Sequence, residues 1–262
     1  MDIATFKRHF SMPLGGPMYE APPYPFRGVQ DLMIRYEADS AAVMELLPPH
    51  LEPADDPVIC TSWARWVPFS AFGPYHEAFV MVDVMLHGTR YMYQPSILVD
   101  NDIPLGAGRE IWGYAKKIAV IEHNWGGDVM PYMEQLLLTV ERPRGQRLMT
   151  ASMVCDRKAS PDELAESPVL SYRHIPSAET AARPSVSELV RLDVTGALRK
   201  SADGSPELYA GRAALTLAST AADSWHQLAP VRILGGFFAV VDFDLNFGRV
   251  VHDYLKDPAV WG

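Results

Sequence analysis

A chain of 262 residues, 48% apolar and 21% charged, carries enough apolar side chain for a sizeable buried core. A net charge of −9 with no block of like charges argues against nucleic acid, since phosphate binding is driven by clustered Lys and Arg. Cys60 and Cys155 match no metal-ligand spacing, the first residues lack an apolar leader core, and no apolar run approaches the ~18 residues of a membrane span. A soluble cytoplasmic protein is therefore expected, with no membrane contact.

The 22 prolines and 18 glycines are spread along the chain, which suits many short strands with tight connections. The segment up to Pro25 is proline-rich and is expected to be an irregular arm. Residues 31–36 read as a strand and 40–47 as a short helix, which Pro48-Pro49 stops. Strand candidates then follow at 58–67, 78–86, 91–99, 117–123, 132–140, 148–154, 188–196, 208–217 and 236–245. Asp242-Phe243-Asp244-Leu245-Asn246-Phe247 has the alternation of a half-buried strand. Residues 161–182 are the most polar and broken stretch, either a surface excursion or a soft boundary. Nothing alternates strand with long helix as a doubly wound sheet requires. The expected fold class is α+β, mainly antiparallel, with few short helices, in a single domain spanning 1–262.

The segment Gly106-Ala107-Gly108-Arg109-Glu110-Ile111-Trp112-Gly113-Tyr114-Ala115-Lys116-Lys117-Ile118 carries the most chemistry. A lysine is a nucleophile only when neutral, and a reference pKa of about 10.4 leaves roughly one amine in 2,500 neutral at pH 7. Lowering it by about three pH units makes the neutral form common, for about 4 kcal/mol. Burial and a neighbouring cation can both act in that direction. On residue types alone, a Lys-Lys pair at a strand end with both ammonium groups in water is the commoner arrangement. Gly106-Ala107-Gly108 lacks the third glycine of a dinucleotide fingerprint.

Gly108-Arg109-Glu110 followed by Tyr114-Ala115-Lys116-Lys117 resembles the signature of the acetoacetate decarboxylase superfamily, G-R-E, three residues, then Y-P-K-K. Pro23-Tyr24-Pro25-Phe26, Tyr36 with Asp39, Leu98-Val99-Asp100-Asn101 and Val250-Val251-His252-Asp253-Tyr254-Leu255 resemble other segments of that family, in the same order. The resemblance implies a barrel- or sheet-like β fold, a homo-oligomer and a small keto-acid substrate held as a Schiff base. It matches Lys116 to the Schiff-base lysine, Lys117 to the neighbouring cation and Glu77 to an active-site carboxylate. Tyr114, Arg109 and Arg27 are the candidates for touching substrate, Arg109 with an equal claim to buttressing the turn.

Two departures stand out. The family's carboxylate-binding arginine falls on Val29, and a second family glutamate falls near Thr61 or Ser62. These turn the expectation from acetoacetate decarboxylation toward a pyruvate aldolase-dehydratase, with an aldehyde as second substrate, or a 2-oxo-enoate hydratase. Genuine acetoacetate decarboxylation is the alternative, with Arg27 or the distant Arg90 supplying the lost contact. A non-catalytic small-molecule binding module stands third. Trp63, Trp66, Phe69, Phe72 and Tyr75 are candidates for the pocket wall, though core packing suits most of them. No cofactor or metal is expected: none of the eight histidines forms the i, i+4 pair of a helical zinc site.

Overall fold

The computed structural model describes residues 2–125, 135–164, 167–194 and 196–261. Sixteen strands join into one sheet among these residues. In chain order they are β1 Tyr24–Ala38, β2 Glu52–Pro53, β3 Val58–Val67, β4 Phe69–Ser70, β5 Tyr75–Leu86 and β6 Thr89–Val99. Next come β7 Lys116–Ile118, β8 Val120–His123, β9 Leu136–Glu141, β10 Arg147–Lys158 and β11 Val169–Ile175. The last are β12 Val186–Leu192, β13 Gly196–Leu198, β14 Leu208–Leu217, β15 Pro230–Leu245 and β16 Arg249–Asp253. The path runs β16-β12-β11-β6-β5-β3-β1-β15-β14-β10-β9-β8. Pairing is antiparallel except where β11 and β7 run parallel to β6. Four α-helices of fewer than two turns accompany it among the described residues: α1 Ile3–Arg8, α2 Ser40–Met44, α3 Asp102–Ala107 and α4 Pro258–Trp261.

The alternation of each central strand gives the sheet two faces. On one, Leu32, Ile34 and Tyr36 of β1 pack with Cys60 and Ala64 of β3, Val80 and Val82 of β5, and Trp225. Leu170, Leu189 and Tyr254 join the same cluster, so residues on both sides of 161–182 share this core. Each such large side chain contributes about 1.5–3 kcal/mol on burial, enough to hold a sheet whose other face carries charge. That other face has Phe26, Val29, Phe79, Ile97 and Phe243 around a cavity. A bulge in β1 between Phe26 and Val29 changes the parity of the strand and turns Asp31, Met33 and Arg35 toward the cavity side. Gly28 occupies the bulge at φ 67°, which favours glycine, and its N–H donates to Asp242 Oδ1 at 2.6 Å.

Where structure and sequence expectation differ, tertiary pairing is the reason. Strand 31–36 extends to β1, and 117–123 divides, because Lys116–Ile118 pairs parallel with β6 while β8 pairs antiparallel with β9. Positions 132–134 of the expected strand 132–140 lie outside the described residues; its remainder is β9. The span 188–196 breaks into β12, paired with β11, and β13, paired with β15. The polar stretch 161–182 contains β11, whose Val169, Leu170 and Ser171 are buried against β6 and β12. Strand β16 and the helices of 102–112 were not foreseen. The N-terminal arm carries α1, and α2 ends at Met44, short of 47.

Candidate active site

The segment preceding Lys116 is built by glycine geometry. Asn101 caps α3 by accepting from the Ile103 N–H at 2.9 Å, and α3 runs directly into a π-helical turn, Gly108–Trp112. Such turns recur at functional sites because they displace one side chain from regular register. A Cβ on Gly108 would stand 2.7 Å from both Cδ and Cε of Lys116, so glycine here is what lets the lysine stem pass over the turn. Gly113 then reverses the chain at φ 80°, where a Cβ would collide with the Arg173 backbone at 2.3 Å. Trp112 is buried and anchored at both ends: its Nε1 donates to the Asn246 carbonyl at 2.9 Å, and its carbonyl accepts from Ser171 Oγ at 2.6 Å.

Strand β7 then delivers two adjacent lysines to opposite faces. Lys116 sits beside Ile97 on the cavity face and is 5% exposed. Its Nζ lies 2.5 Å from Glu77 Oε1 and 5.7–5.8 Å from the ring centres of Tyr75 and Tyr114. Lys117 sits beside Leu98, and its Nζ donates to Asp223 Oδ1 at 2.8 Å and to the Ala222 carbonyl at 2.5 Å. Asp223 also takes Arg142 Nε at 3.1 Å. The expectation that Lys117 is the cation beside the nucleophile is therefore corrected: period-2 alternation points its ammonium away from the cavity.

Among the described residues, Arg35 and Arg65 are the arginines that line the cavity, and the one beside Glu77 is Arg65. Cα pairing sets Asp31 opposite Arg65 and Arg65 opposite Glu77, giving a row of alternating charge across β1, β3 and β5. Arg65 grips Asp31 with two hydrogen bonds, Nε to Oδ1 at 2.7 Å and Nη2 to Oδ2 at 3.0 Å, leaving Nη1 3.8 Å from Glu77 Oε2. Its guanidinium carbon is 5.4–5.6 Å from the ring centres of Trp63, Phe79 and Phe243. Asp31 outweighs the effect of burial and holds Arg65 firmly protonated. Burial pushes Lys116 below the usual lysine range; Arg65 adds to that and Glu77 opposes it. Burial likewise raises the phenols of Tyr75 and Tyr114, with Glu77 adding to both, so both keep their protons at neutral pH.

Lys116, Glu77, Arg65, Asp31, Tyr75 and Tyr114 all line one cavity of about 260 Å³. Of the foreseen aromatic wall, Trp63, Phe72 and Tyr75 line it, whereas Phe69 is exposed and Trp66 stacks on His76. Thr61 lines it too, but Val29 is fully buried in the surrounding packing. The structure places the candidate arginines outside this cavity. Arg109 is exposed and donates through Nη1 to the Lys116 carbonyl at 3.1 Å, buttressing the turn. Arg27 donates to the Phe26 and Phe243 carbonyls and pairs with Asp244 at 2.8 Å, outside the cavity. Arg90 pairs with Asp55 and Asp83, also outside the cavity. Glu110 accepts from Tyr19 and so ties the N-terminal arm to the turn.

The sequence profile described as "Acetoacetate decarboxylase (ADC)" matches residues 11–255. The chain belongs to the acetoacetate decarboxylase family. An acetoacetate decarboxylase of Acidiphilium cryptum is 31% identical over 97% of this chain and 100% of its own length. The crystal structure of acetoacetate decarboxylase from Legionella pneumophila superposes with a TM-score of 0.81 at 25% identity, covering 96% of this chain and 97% of that one. The enduracididine biosynthesis enzyme MppR, solved in complex with pyruvate, shares the fold with a TM-score of 0.74 at 23% identity, covering 94% and 98%. Family membership supports a lyase-type enzyme on an acetoacetate decarboxylase scaffold.

The opposite-face placement of Lys117 gives a direct expectation. Lys117→Ala leaves the buried Asp223 with Arg142 and Thr220, so its cost falls on stability and not on the cavity side of the sheet. The rate of borohydride trapping with a keto acid, followed from pH 5 to 10, is expected to track wild type within about twofold, far inside the 1.4 kcal/mol that a tenfold change represents. A profile displaced upward by a pH unit or more would restore Lys117 as the tuning cation.

Proposed function

We propose that this enzyme forms a Schiff base through Lys116 with a small 2-keto acid such as pyruvate and joins it to an aldehyde, losing water. The observation that carries this reading is the cation: an arginine fork stands in the lysine cavity on β3, while the family's arginine position is an apolar, fully buried valine. A carboxylate anchored by Arg65 is fixed from a different strand than one anchored at position 29. The cavity of about 260 Å³ with an aromatic wall also leaves room beyond a four-carbon keto acid.

The chemistry runs as follows. The neutral Lys116 amine attacks the ketone carbon, and the carbinolamine loses water to give a protonated imine. That imine draws electrons from the adjacent methyl carbon, so Glu77 can remove a methyl proton and leave an enamine. The enamine carbon bonds to the aldehyde carbon, whose oxygen collects a proton from Glu77 or from a Tyr75 or Tyr114 phenol. Glu77 then takes a second proton from the former methyl carbon while the new hydroxyl leaves as water with a proton returned to it; the product is a conjugated imine, and hydrolysis returns Lys116 with an unsaturated 2-keto acid. MppR, with pyruvate and, in another complex, the condensation product of pyruvate and imidazole 4-carboxaldehyde, is a precedent on this fold.

The names of the sequence relatives favour a second reading, decarboxylation of acetoacetate to acetone. One experiment separates the two. In heavy water with pyruvate, the methyl signal is expected to wash out, and an added aldehyde to yield a conjugated product absorbing in the near ultraviolet. Acetone formation at ordinary turnover, about 10 per second, with pyruvate inert, would replace this reading by the second.

A further inference from the structure

Three of the eight histidines, remote in sequence, meet at the end of the sheet opposite to Lys116. His50 Nε2 lies 2.6 Å and His252 Nε2 3.2 Å from the same oxygen, Asp257 Oδ2. The ring of His87 stands 6.2 Å from that of His50 and 6.0 Å from that of His252. The ligand atoms of His50, His252 and Asp257 lie within 4.8 Å of one another. His50 comes from the loop before β2, His252 from β16, His87 from the β5–β6 turn and Asp257 from the start of α4.

Hydrogen bonding alone does not account for the arrangement. His252 Nε2 is buried and makes no properly directed hydrogen bond, although Asp257 is near. His50 and His87 are also the only non-glycine residues with positive φ among the described residues, at 70° and 48°. His87, with Gly88 at φ 79°, forms the two-residue turn between Leu86 and Thr89, which requires positive φ at both positions, so the turn itself presents His87. Supporting contacts fix the cluster further. Asp257 Oδ1 accepts from the Ala259 N–H at 2.9 Å, which leaves Oδ2 for the histidines. Tyr254 donates to the Pro49 carbonyl at 2.6 Å and packs edge-on against His252 with ring centres 4.5 Å apart.

We propose that His50, His252 and Asp257 bind a divalent transition metal of the zinc class, with His87 as the fourth ligand. Two imidazoles and a carboxylate are a common donor set for such ions. Metal–ligand bonds of about 2.0–2.1 Å in a tetrahedron put ligand atoms about 3.3 Å apart. The His252–Asp257 separation is already 3.2 Å, and the His50 contact of 2.6 Å opens by a small swing of a loop side chain that is 34% exposed. His87 is exposed on its turn, with its ring centre 6.0–6.2 Å from those of His252 and His50. The ion clamps the C-terminal segment onto the β5–β6 turn. It plays no part in the chemistry, because β6 runs from that turn to Ile97 beside Lys116, on the order of 30 Å at the rise of a strand.

The test uses full-length protein free of any polyhistidine tag, stripped with chelator and desalted. Titration with zinc or cobalt is expected to show one ion per chain at micromolar metal. Cobalt should give visible absorption of tetrahedral intensity, and zinc should raise the melting temperature. His252→Gln and, separately, His50→Ala should each weaken binding about 10- to 100-fold or more, while pyruvate trapping at Lys116 stays at the wild-type rate. That trapping also serves as the check of folding. Absence of saturable binding to the wild-type chain, or variants that bind as tightly as wild type, would overturn the metal site. Neither result would bear on the keto-acid reading, whose readout is trapping at Lys116.

Discussion

Replacing Lys116 with alanine is expected to abolish the borohydride-trapped adduct with pyruvate and to reduce turnover to the uncatalysed background. Every step of the proposed reaction passes through a covalent bond to this nitrogen, so no partial activity can survive its loss. The structure adds a test of why the amine is reactive. Burial holds its pKa below that of a free lysine, so between the two values the folded state binds fewer protons than the unfolded chain. The sign follows directly: in that window this group makes stability rise with pH, with the deficit greatest below the folded pKa. Lys116→Met removes the titrating group while keeping the volume of its stem. The difference in urea midpoint between wild type and Lys116→Met should therefore shift in favour of wild type as pH is raised from 6 toward the pKa of free lysine, about 10.4. Trapping by wild type should reach its plateau below that value. A peptide map that places the adduct on Lys117, or a stability difference independent of pH, would contradict the assignment.

The strands were legible where alternation was strong and uninterrupted. Val58–Val67 and Leu208–Leu217 occupy the span their patterns indicate, and the run from Gly108 to Lys117 drew attention to the right turn. The error over Lys117 was avoidable on the same grounds. Neighbours in a strand face opposite ways, so extending the expected strand 117–123 back by one residue to Lys116 sets the two lysines on opposite faces. Arg65 was equally accessible: Thr61, Trp63 and Arg65 share one face of a strand whose bounds were read correctly, and a charged residue amid large apolar ones is a reason to look for its partner. Arg27, near position 29 in sequence, and the more distant Arg90 both lie outside the cavity, whereas Arg65 lines it. Other features had no local signal. The bulge at Gly28 that turns Asp31 inward and the meeting of His50, His252 and Asp257 depend on pairings across more than a hundred residues. A spacing test for helical zinc sites cannot detect ligands assembled by a sheet.

The largest effect on substrate recognition is expected at Arg65. Its Nε and Nη2 are committed to Asp31, its position is set by three aromatic rings, and Nη1 is left on the cavity side. A guanidinium held this way meets a carboxylate with little reorganisation, and hydrogen bonds to a charged group contribute about 1.5–3 kcal/mol. Arg65→Met should therefore raise the KM for pyruvate about 10- to 150-fold, since about 1.4 kcal/mol is a factor of ten. The single variant also strands Asp31, whose side chain is 2% exposed, and breaking a buried pair from one side destabilises by about 3–5 kcal/mol. A double variant, Asp31→Asn with Arg65→Met, removes both charges and should recover most of that stability without recovering substrate affinity. A purely structural arginine would behave otherwise, with KM returning along with the melting temperature. The pH profile of trapping supplies an independent readout. Arg65 is one of the groups that holds Lys116 below the ordinary lysine range, whereas Asp31 is not among those acting on it. In the double variant the profile should move to higher pH. Wild-type KM and an unmoved profile in a well-folded double variant would remove Arg65 from the site and leave the substrate carboxylate to another group in the cavity.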